Sequence, residues 1–220
     1  MFLDHWEFAR SCQKSLAELK GRKITLADER KAQSEAESVR WDKLARALMG
    51  RLDMMEYIAD APKEMRAVDV YASVSPKNDG SENPLRTWLR EHLDRLPGFN
   101  VHQSERTYDP PEVCRNPVCG VKITPEVEKG LKTRVACDIL SWAVEDLYDV
   151  GVLVMDDPEL IPSIMCVQEV LDKQIVHVGL KRNGEKVRSA AWGHVLLEDI
   201  LPDIFPEEEW RQLYLSRASS

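Results

Sequence analysis

The chain is short of glycine, of aromatic residues and of long apolar runs. Its 220 residues include 10 glycines, and aromatic side chains make up 7% of the total. No apolar run approaches the roughly 20 residues that a membrane-spanning helix needs, so no membrane segment is expected. The opening residues Met1-Phe2-Leu3-Asp4-His5-Trp6-Glu7 lack the basic start and long apolar stretch of a secretory signal. Five cysteines (Cys12, Cys114, Cys119, Cys137 and Cys166) form an odd number without framework spacing. That pattern argues against a disulfide scaffold and points to reduced thiols in a cytoplasmic setting. No G-x-G-x-x-G fingerprint follows any candidate strand, which argues against a dinucleotide enzyme. Basic residues are in deficit too: 30 Lys and Arg stand against 38 Asp and Glu, a net charge of −8. Broad non-specific nucleic-acid binding, which needs clustered cations, is disfavoured. A carboxylate cluster that holds divalent cations remains compatible with the balance, because it adds to the acid count.

What is present is an ordinary globular composition, 43% hydrophobic and 31% charged. Met1 to Asp4 reads as a strand that runs directly into a helix extending to Lys20. Residues 25–60 read as helical, with Leu44, Leu48, Leu52, Met55 and Ile58 on one stripe. That stripe marks the segment as a helical insertion offering a surface for a second copy or a protein partner. Val68–Val74 (VDVYASV) reads as a strand, Pro84–Leu96 as a helix and Phe99–Gln103 as a strand. Residues 104–127 hold four prolines and read as an ordered excursion. A helix is expected over Leu131–Tyr148, with Val135, Ile139, Leu140, Ala143 and Leu147 inward. Val150–Met155 is a near-continuous apolar run suited to a central strand covered on both faces. Asp156-Asp157-Pro158 turns into a helix ending near Lys173, then Ile175–Leu180 and Val195–Ile200 read as further strands.

Strands separated by helices imply right-handed crossovers and a mostly parallel sheet between helical layers. The expectation is one three-layer α/β/α domain over residues 1–205 and an acidic helical tail over 206–220. In such sheets the functional crevice lies beyond the carboxyl ends of the strands, a rule that selects Asp4 and Asp156-Asp157. With Asp138 and Glu159 these acids form a candidate set for one or two Mg²⁺ or Mn²⁺ ions, which favour carboxylate and water oxygens. Each also has a structural explanation. Asp157 before Pro158 suits a helix N-cap, Asp138 lies four residues after Arg134 and can pair with it, and Asp4 can cap the first helix. Cys137 and Cys166 fall on apolar helix faces and read as core, and His177 as a strand histidine under a helix. Cys114 and Cys119 with His102 supply too few ligands for structural zinc, so zinc is not expected. Lys129, Lys132 and Arg134 form a candidate basic rim for phosphate.

The stretch Glu128–Leu180 reads EKGLKTRVACDIL, YDVGVLVMDDPELIPSI and KQIVHVGL. It resembles the NYN branch of the PIN-like nucleases, in which an E-K-G-V-D motif opens a helix with an Asp about six residues on. An apolar strand ending in S-G-D-S-D and a strand of V-x-V-x-G type follow there. FLDHWEFARS is similar to that family's first strand, whose Asp is followed three positions later by Asn. The resemblance implies a PIN-like (Rossmannoid) fold, a Mg²⁺ or Mn²⁺ site and endoribonuclease activity on single-stranded or loop RNA. Asp4, Asp138 and Asp157 would then be metal ligands, Glu159 a further catalytic acid, and Glu7, Lys129, Lys132 and Arg134 substrate contacts. Five positions depart from the pattern: Glu7 stands at the Asn, Lys132 at the Asp of E-K-G-V-D, Met155-Asp156 at Ser-Gly, and Pro158 at the small residue after Asp157. Two readings follow: a metal-dependent ribonuclease with a weakened site, or a catalytically degenerate module that binds RNA or a protein.

Overall fold

Alternation along a three-residue strand organises the architecture. Successive strand side chains face opposite sides of a sheet, and in β1 (Phe2–Asp4) Leu3 enters one hydrophobic core while Phe2 enters another. A computed structural model describes residues 1–19, 39–55, 62–76, 83–113, 119–181 and 183–205. Its main sheet has six strands in the order β10-β9-β8-β1-β2-β3, every pairing parallel. These strands are β1, β2 (Val68–Val74), β3 (Phe99–Glu105), β8 (Val150–Val154), β9 (Gln174–Gly179) and β10 (Gly193–Leu196). Leu3 lies beside Val70 of β2 and Val154 of β8, so β1 is interior on both sides.

One face of the sheet carries α1 (His5–Leu19), α2 (Trp41–Asp53), α3 (Pro84–Glu91) and the short α7 (Leu201–Ile204), through Phe8, Leu44, Leu48, Leu89 and Ile204. The other carries α4 (Leu131–Val144), α5 (Ile161–Glu169) and α6 (Glu185–Ala190), through Val135, Ile139, Ile164, Val167 and Val187. The result is the expected three-layer α/β/α arrangement. In β8, Val152 and Val154 face the first core and Leu153 the second, as its unbroken apolar run requires.

Several expectations need correction. The segment Val195–Ile200 is not one strand. β10 stops at Leu196, and Leu197, Ile200, Leu201 and Ile204 continue at helical spacing, packing on the first core. The helix from Leu131 ends at Val144, because Asp146 takes a left-handed backbone with φ 57°, and Leu147 is left exposed. After β8 a 3₁₀ turn (Pro158–Leu160) precedes α5, which ends at Glu169, short of Lys173. Cys137 is exposed and Cys166 only half-buried, so neither is a core thiol. The excursion after β3 holds two small antiparallel ladders, β4 (Thr107–Tyr108) with β7 (Glu126–Val127) and β5 (Glu112–Val113) with β6 (Lys122–Ile123). Within the proposed insertion, Leu44, Leu48 and Leu52 are buried against the sheet. Ile58, the tail 206–220 and Cys114 lie outside the described residues. No helix among the described residues is long and apolar enough to cross a membrane.

Leu3, fully buried in the strand on which both cores meet, should be intolerant of truncation. Leu3→Ala is expected to lower stability by about 2–5 kcal/mol in urea unfolding. Val144→Ala, at a position 68% exposed, should change it by no more than about 0.5 kcal/mol.

Candidate functional site

Strand order reverses between β1 and β8: β2 and β3 lie to one side, β9 and β10 to the other. Crevices in open α/β sheets form at such a switch point, beyond the carboxyl ends of the strands. β1 ends in Asp4, and β8 is followed by Met155-Asp156-Asp157. The Oδ1 atom of Asp4 accepts the backbone N–H of Glu7 at 2.9 Å, capping the first turn of α1. The Oδ1 atom of Asp157 accepts the N–H of Glu159 at 2.9 Å, with Pro158 at the first position of the turn. Both acids therefore fill the capping roles expected of them. Their second oxygens do something else. Asp157 Oδ2 lies 3.0 Å and Asp4 Oδ2 3.6 Å from the Nζ of Lys132, with Glu7 Oε2 at 3.8 Å. Lys132 is the second residue of α4, whose first turn contains no acid. A cation is disfavoured at the positive end of a helix, so the three carboxylates supply the compensation that α4 itself lacks.

The electrostatics follow from this packing. Burial works against the Lys132 ammonium, but Asp4, the Asp157 hydrogen bond and Glu7 outweigh it and hold its pKa above the usual lysine value. Partial burial likewise opposes ionisation of Asp157, yet the Glu159 amide and Lys132 keep its carboxyl below the usual range. Glu7 behaves oppositely. Burial, reinforced by the charges of Asp4 and Asp156, pushes its carboxyl up to about 7, despite the Asp156 amide and Lys132.

Asp156 anchors the next layer. Its backbone N–H donates to Glu7 Oε1 at 2.5 Å, and its own Oδ1 meets His177 Nε2 at 2.9 Å. His177 is 1% exposed, and its Nδ1 has no hydrogen-bond partner among the described residues. An imidazole protonated on Nε2 and donating to Asp156 fits both facts. Two glycines make room for the pair. A Cβ on Gly179 would stand 2.4 Å from Asp156 Oδ1, and one on Gly184, where φ is +68°, only 2.0 Å from it. Outside these groups opens a cleft of about 430 Å³, lined also by Trp6, Arg10, Lys14, Glu128, Asn183 and Gly184. Trp6 is 36% exposed, and the Arg106 guanidinium lies 5.9 Å above its ring.

The remaining sequence candidates lie elsewhere. Asp138 sits six residues beyond Lys132 in α4, about 9 Å further along the helix axis. Its Oδ2 accepts from the hydroxyl of Tyr71 at 2.9 Å and lies 3.5 Å from Arg134 Nε. Arg134 Nη2 in turn donates to His102 Nδ1 at 3.1 Å. Because a guanidinium only donates, His102 carries its proton on Nε2, which donates to the buried Asp69 at 3.1 Å. Tyr71 and His102 also stack, centroids 4.8 Å apart. Asp138 and Arg134 thus belong to a polar network over β2 and β3, not to the acidic crevice. Lys129 pairs with Asp109 at 2.8 Å. Glu159 is exposed and serves the site through its backbone amide. Sequence reading passed over Trp6, Arg10 and Lys14, although their i, i+4, i+8 spacing on α1 was available as a signal.

The donor set does not fit a divalent ion. The point on which the carboxylate oxygens converge holds the Lys132 ammonium, and the described residues contain no group of three or more side chains suited to a metal. Of the residues weighed for zinc, His102 has both ring nitrogens engaged among the described residues, and Cys114 lies outside them. No family model matches the sequence, and no curated protein matches it. Among solved structures, a protein of unknown function from Vibrio parahaemolyticus is similar at 19% identity, over 60% of this chain and 71% of that chain, with a TM-score of 0.39. That likeness carries no information on activity.

Glu7 gives the crevice a pH signature. Its folded pKa of about 7 exceeds the ordinary 4.5, so between these values the folded state binds more protons than the unfolded one. Its contribution to stability therefore falls as pH rises from about 4.5 to about 7. Glu7→Gln keeps an acceptor for the Asp156 amide and removes that fall. Urea unfolding at pH 8 should show the variant more stable than the parent by about 2 kcal/mol, with the gap closing at pH 4.5. An equal gap at both values would contradict the assignment.

Proposed function

We propose that the chain is an NYN-type, PIN-like module that holds single-stranded or loop RNA at the crevice and does not hydrolyse it through a divalent cation. The observation that carries this reading is the Lys132 ammonium among Asp4, Glu7 and Asp157. Metal-dependent phosphodiester hydrolysis needs an ion that binds water and lowers its pKa while bridging the phosphate. An ammonium at that point offers charge and N–H donors but has no coordination site for a water. Resemblance in Glu128–Leu180 supports the NYN assignment, and the switch-point position of Asp4 and Asp157 agrees with it. Support for an RNA ligand comes from the cleft wall: Trp6, Arg10 and Lys14 follow one another along a single face of α1. An aromatic platform beside cations is how sequence-tolerant single-strand sites are built. The net charge of −8 does not oppose this, because binding responds to local charge.

Labelled mixed RNA incubated with the purified chain and Mn²⁺, with and without chelator, tests the proposal. Anisotropy should report binding that chelator leaves unchanged, gels should show intact RNA, and Trp6→Ala should weaken binding by roughly tenfold. Chelator-sensitive cutting that disappears in Asp157→Asn would overturn the proposal in favour of a working nuclease. Absence of RNA binding would overturn it in favour of a protein-interaction module.

A further inference from the structure

Two helices of the second layer share a seam that their own side chains leave open. α4 and α5 pack side by side, and successive helix positions turn by about 100°. On α4, Arg134 and Asp138 reach Tyr71 and His102, so one flank faces β2 and β3. The other flank carries Cys137, Leu140 and Val144, at i, i+3 and i+7. On α5, Gln168 donates to the Ala190 carbonyl and accepts the Trp192 amide, so one flank faces α6. Opposite it stand Cys166 and Val170, the N–H of Val170 closing the last helical turn on the Cys166 carbonyl. These two flanks meet in a groove. Leu140 packs on the core, while Val144 is 68% and Val170 72% exposed. Single exposed valines are ordinary, but apolar side chains facing each other across a helix pair form a patch.

Charge around the groove is one-sided. At the end where β8 and β9 begin, Asp146, Asp149, Glu169 and Asp172 are exposed. Lys173 bridges Asp146 and Asp149, yet those two side chains stay 81% and 95% exposed. Arg66, nearby, donates to the Leu147 carbonyl. The opposite end of the groove offers the exposed Thr133 and Pro162, which carry no charge. A second copy laid antiparallel would therefore bring these acids no cation, and an anionic lipid surface would be repelled by them.

We propose that the α4–α5 groove docks a cationic amphipathic helix of another protein, its apolar face on Val144 and Val170 and its basic residues toward Asp146, Asp149, Glu169 and Asp172. Apolar anchors at helical spacing give such a helix its seat in a groove, and the acids set its sign and direction. The acidic end lies at the edge of the sheet away from the Lys132 crevice, so this surface is separate from it and stands whether or not RNA binds there.

The full chain titrated with a labelled synthetic helix, leucine at i, i+3, i+4 and i+7 and lysine elsewhere, tests this by anisotropy. The parent should bind the peptide, and added salt should weaken the complex. Val144→Ser combined with Val170→Ser should loosen binding by about tenfold, and Asp146→Asn combined with Asp149→Asn should loosen it less. All four positions are exposed, so circular dichroism should match the parent's. Val113→Ser, at an exposed valine of β5, should leave binding unchanged, and a peptide with glutamate in place of lysine should not bind. No binding by the parent, equal binding of the glutamate peptide, or binding that the valine pair leaves unchanged would overturn the proposal. Sedimentation of the parent as a dimer that the valine pair dissolves would overturn it in favour of a second copy. Capture by phosphatidylserine vesicles through the same valines would overturn it in favour of a lipid surface.

Discussion

The ion cluster around Lys132 is the constraint on which the rest of the crevice depends. It ties four separate parts of the chain to one point: the end of β1, the first turn of α1, the turn after β8 and the first turn of α4. These are the segments that the switch in strand order brings side by side. Three carboxylates gathered in a partly buried place would repel one another and resist desolvation if left alone. Removing one partner from such a group leaves uncompensated charge, the most damaging change at a buried ion pair. The lysine is thus part of the condition under which this strand-end geometry forms.

A second polar anchor explains why acids from the same helix serve different purposes. On α4, Leu131, Val135, Ile139 and Ala143 form the buried stripe, and the polar residues flank it. Lys132 engages the crevice at the helix start. About 9 Å further along the axis, Asp138 and Arg134 close the network with Tyr71, His102 and Asp69. Two anchors on one helix fix its rotation and its sliding over the sheet, which hydrophobic contacts alone leave softer. Asp69 is 1% exposed; its Oδ1 accepts from Asn100 and His102, and its Oδ2 has no hydrogen-bond partner among the described residues.

Much of the fold was legible because its signals are local. β-rich runs located β2, β8 and β9 to within a residue or so, and the Asp157-Pro158 pair announced a capped turn. The structural roles of Asp4 and Asp157 as caps, and of Asp138 as the partner of Arg134, were readable from spacing alone. What spacing did not carry was direction. Asp138 follows the motif lysine at a distance that suits a shared site, yet the helix carries it toward Tyr71, and the identity of that receiver is fixed only by β2. Likewise Val195–Ile200 is apolar enough for a strand, but its register with Leu201 and Ile204 is helical, and packing on α2 decides the outcome. The Asp156–His177 pair was hidden for a related reason. Its sequence trace is the absence of side chains at Gly179 and Gly184, and an absence acquires meaning only when something is found to occupy the space.

Charge arithmetic shows how far the chain itself offsets these acids. A divalent ion would bring two positive charges to Asp4, Glu7 and Asp157. Here one of those charges comes from Lys132, fixed by the chain, and near neutrality a proton on Glu7 supplies part of the second, since its carboxyl is held at about 7. Glu7 suits this role better than an amide, because it can take up or release the proton as the surroundings change. It also suits it better than Asp4 or Asp157, each of which is tied more closely to Lys132. Lys132 and a proton shared with Glu7 thus offset part of the charge of the three acids from within the chain itself.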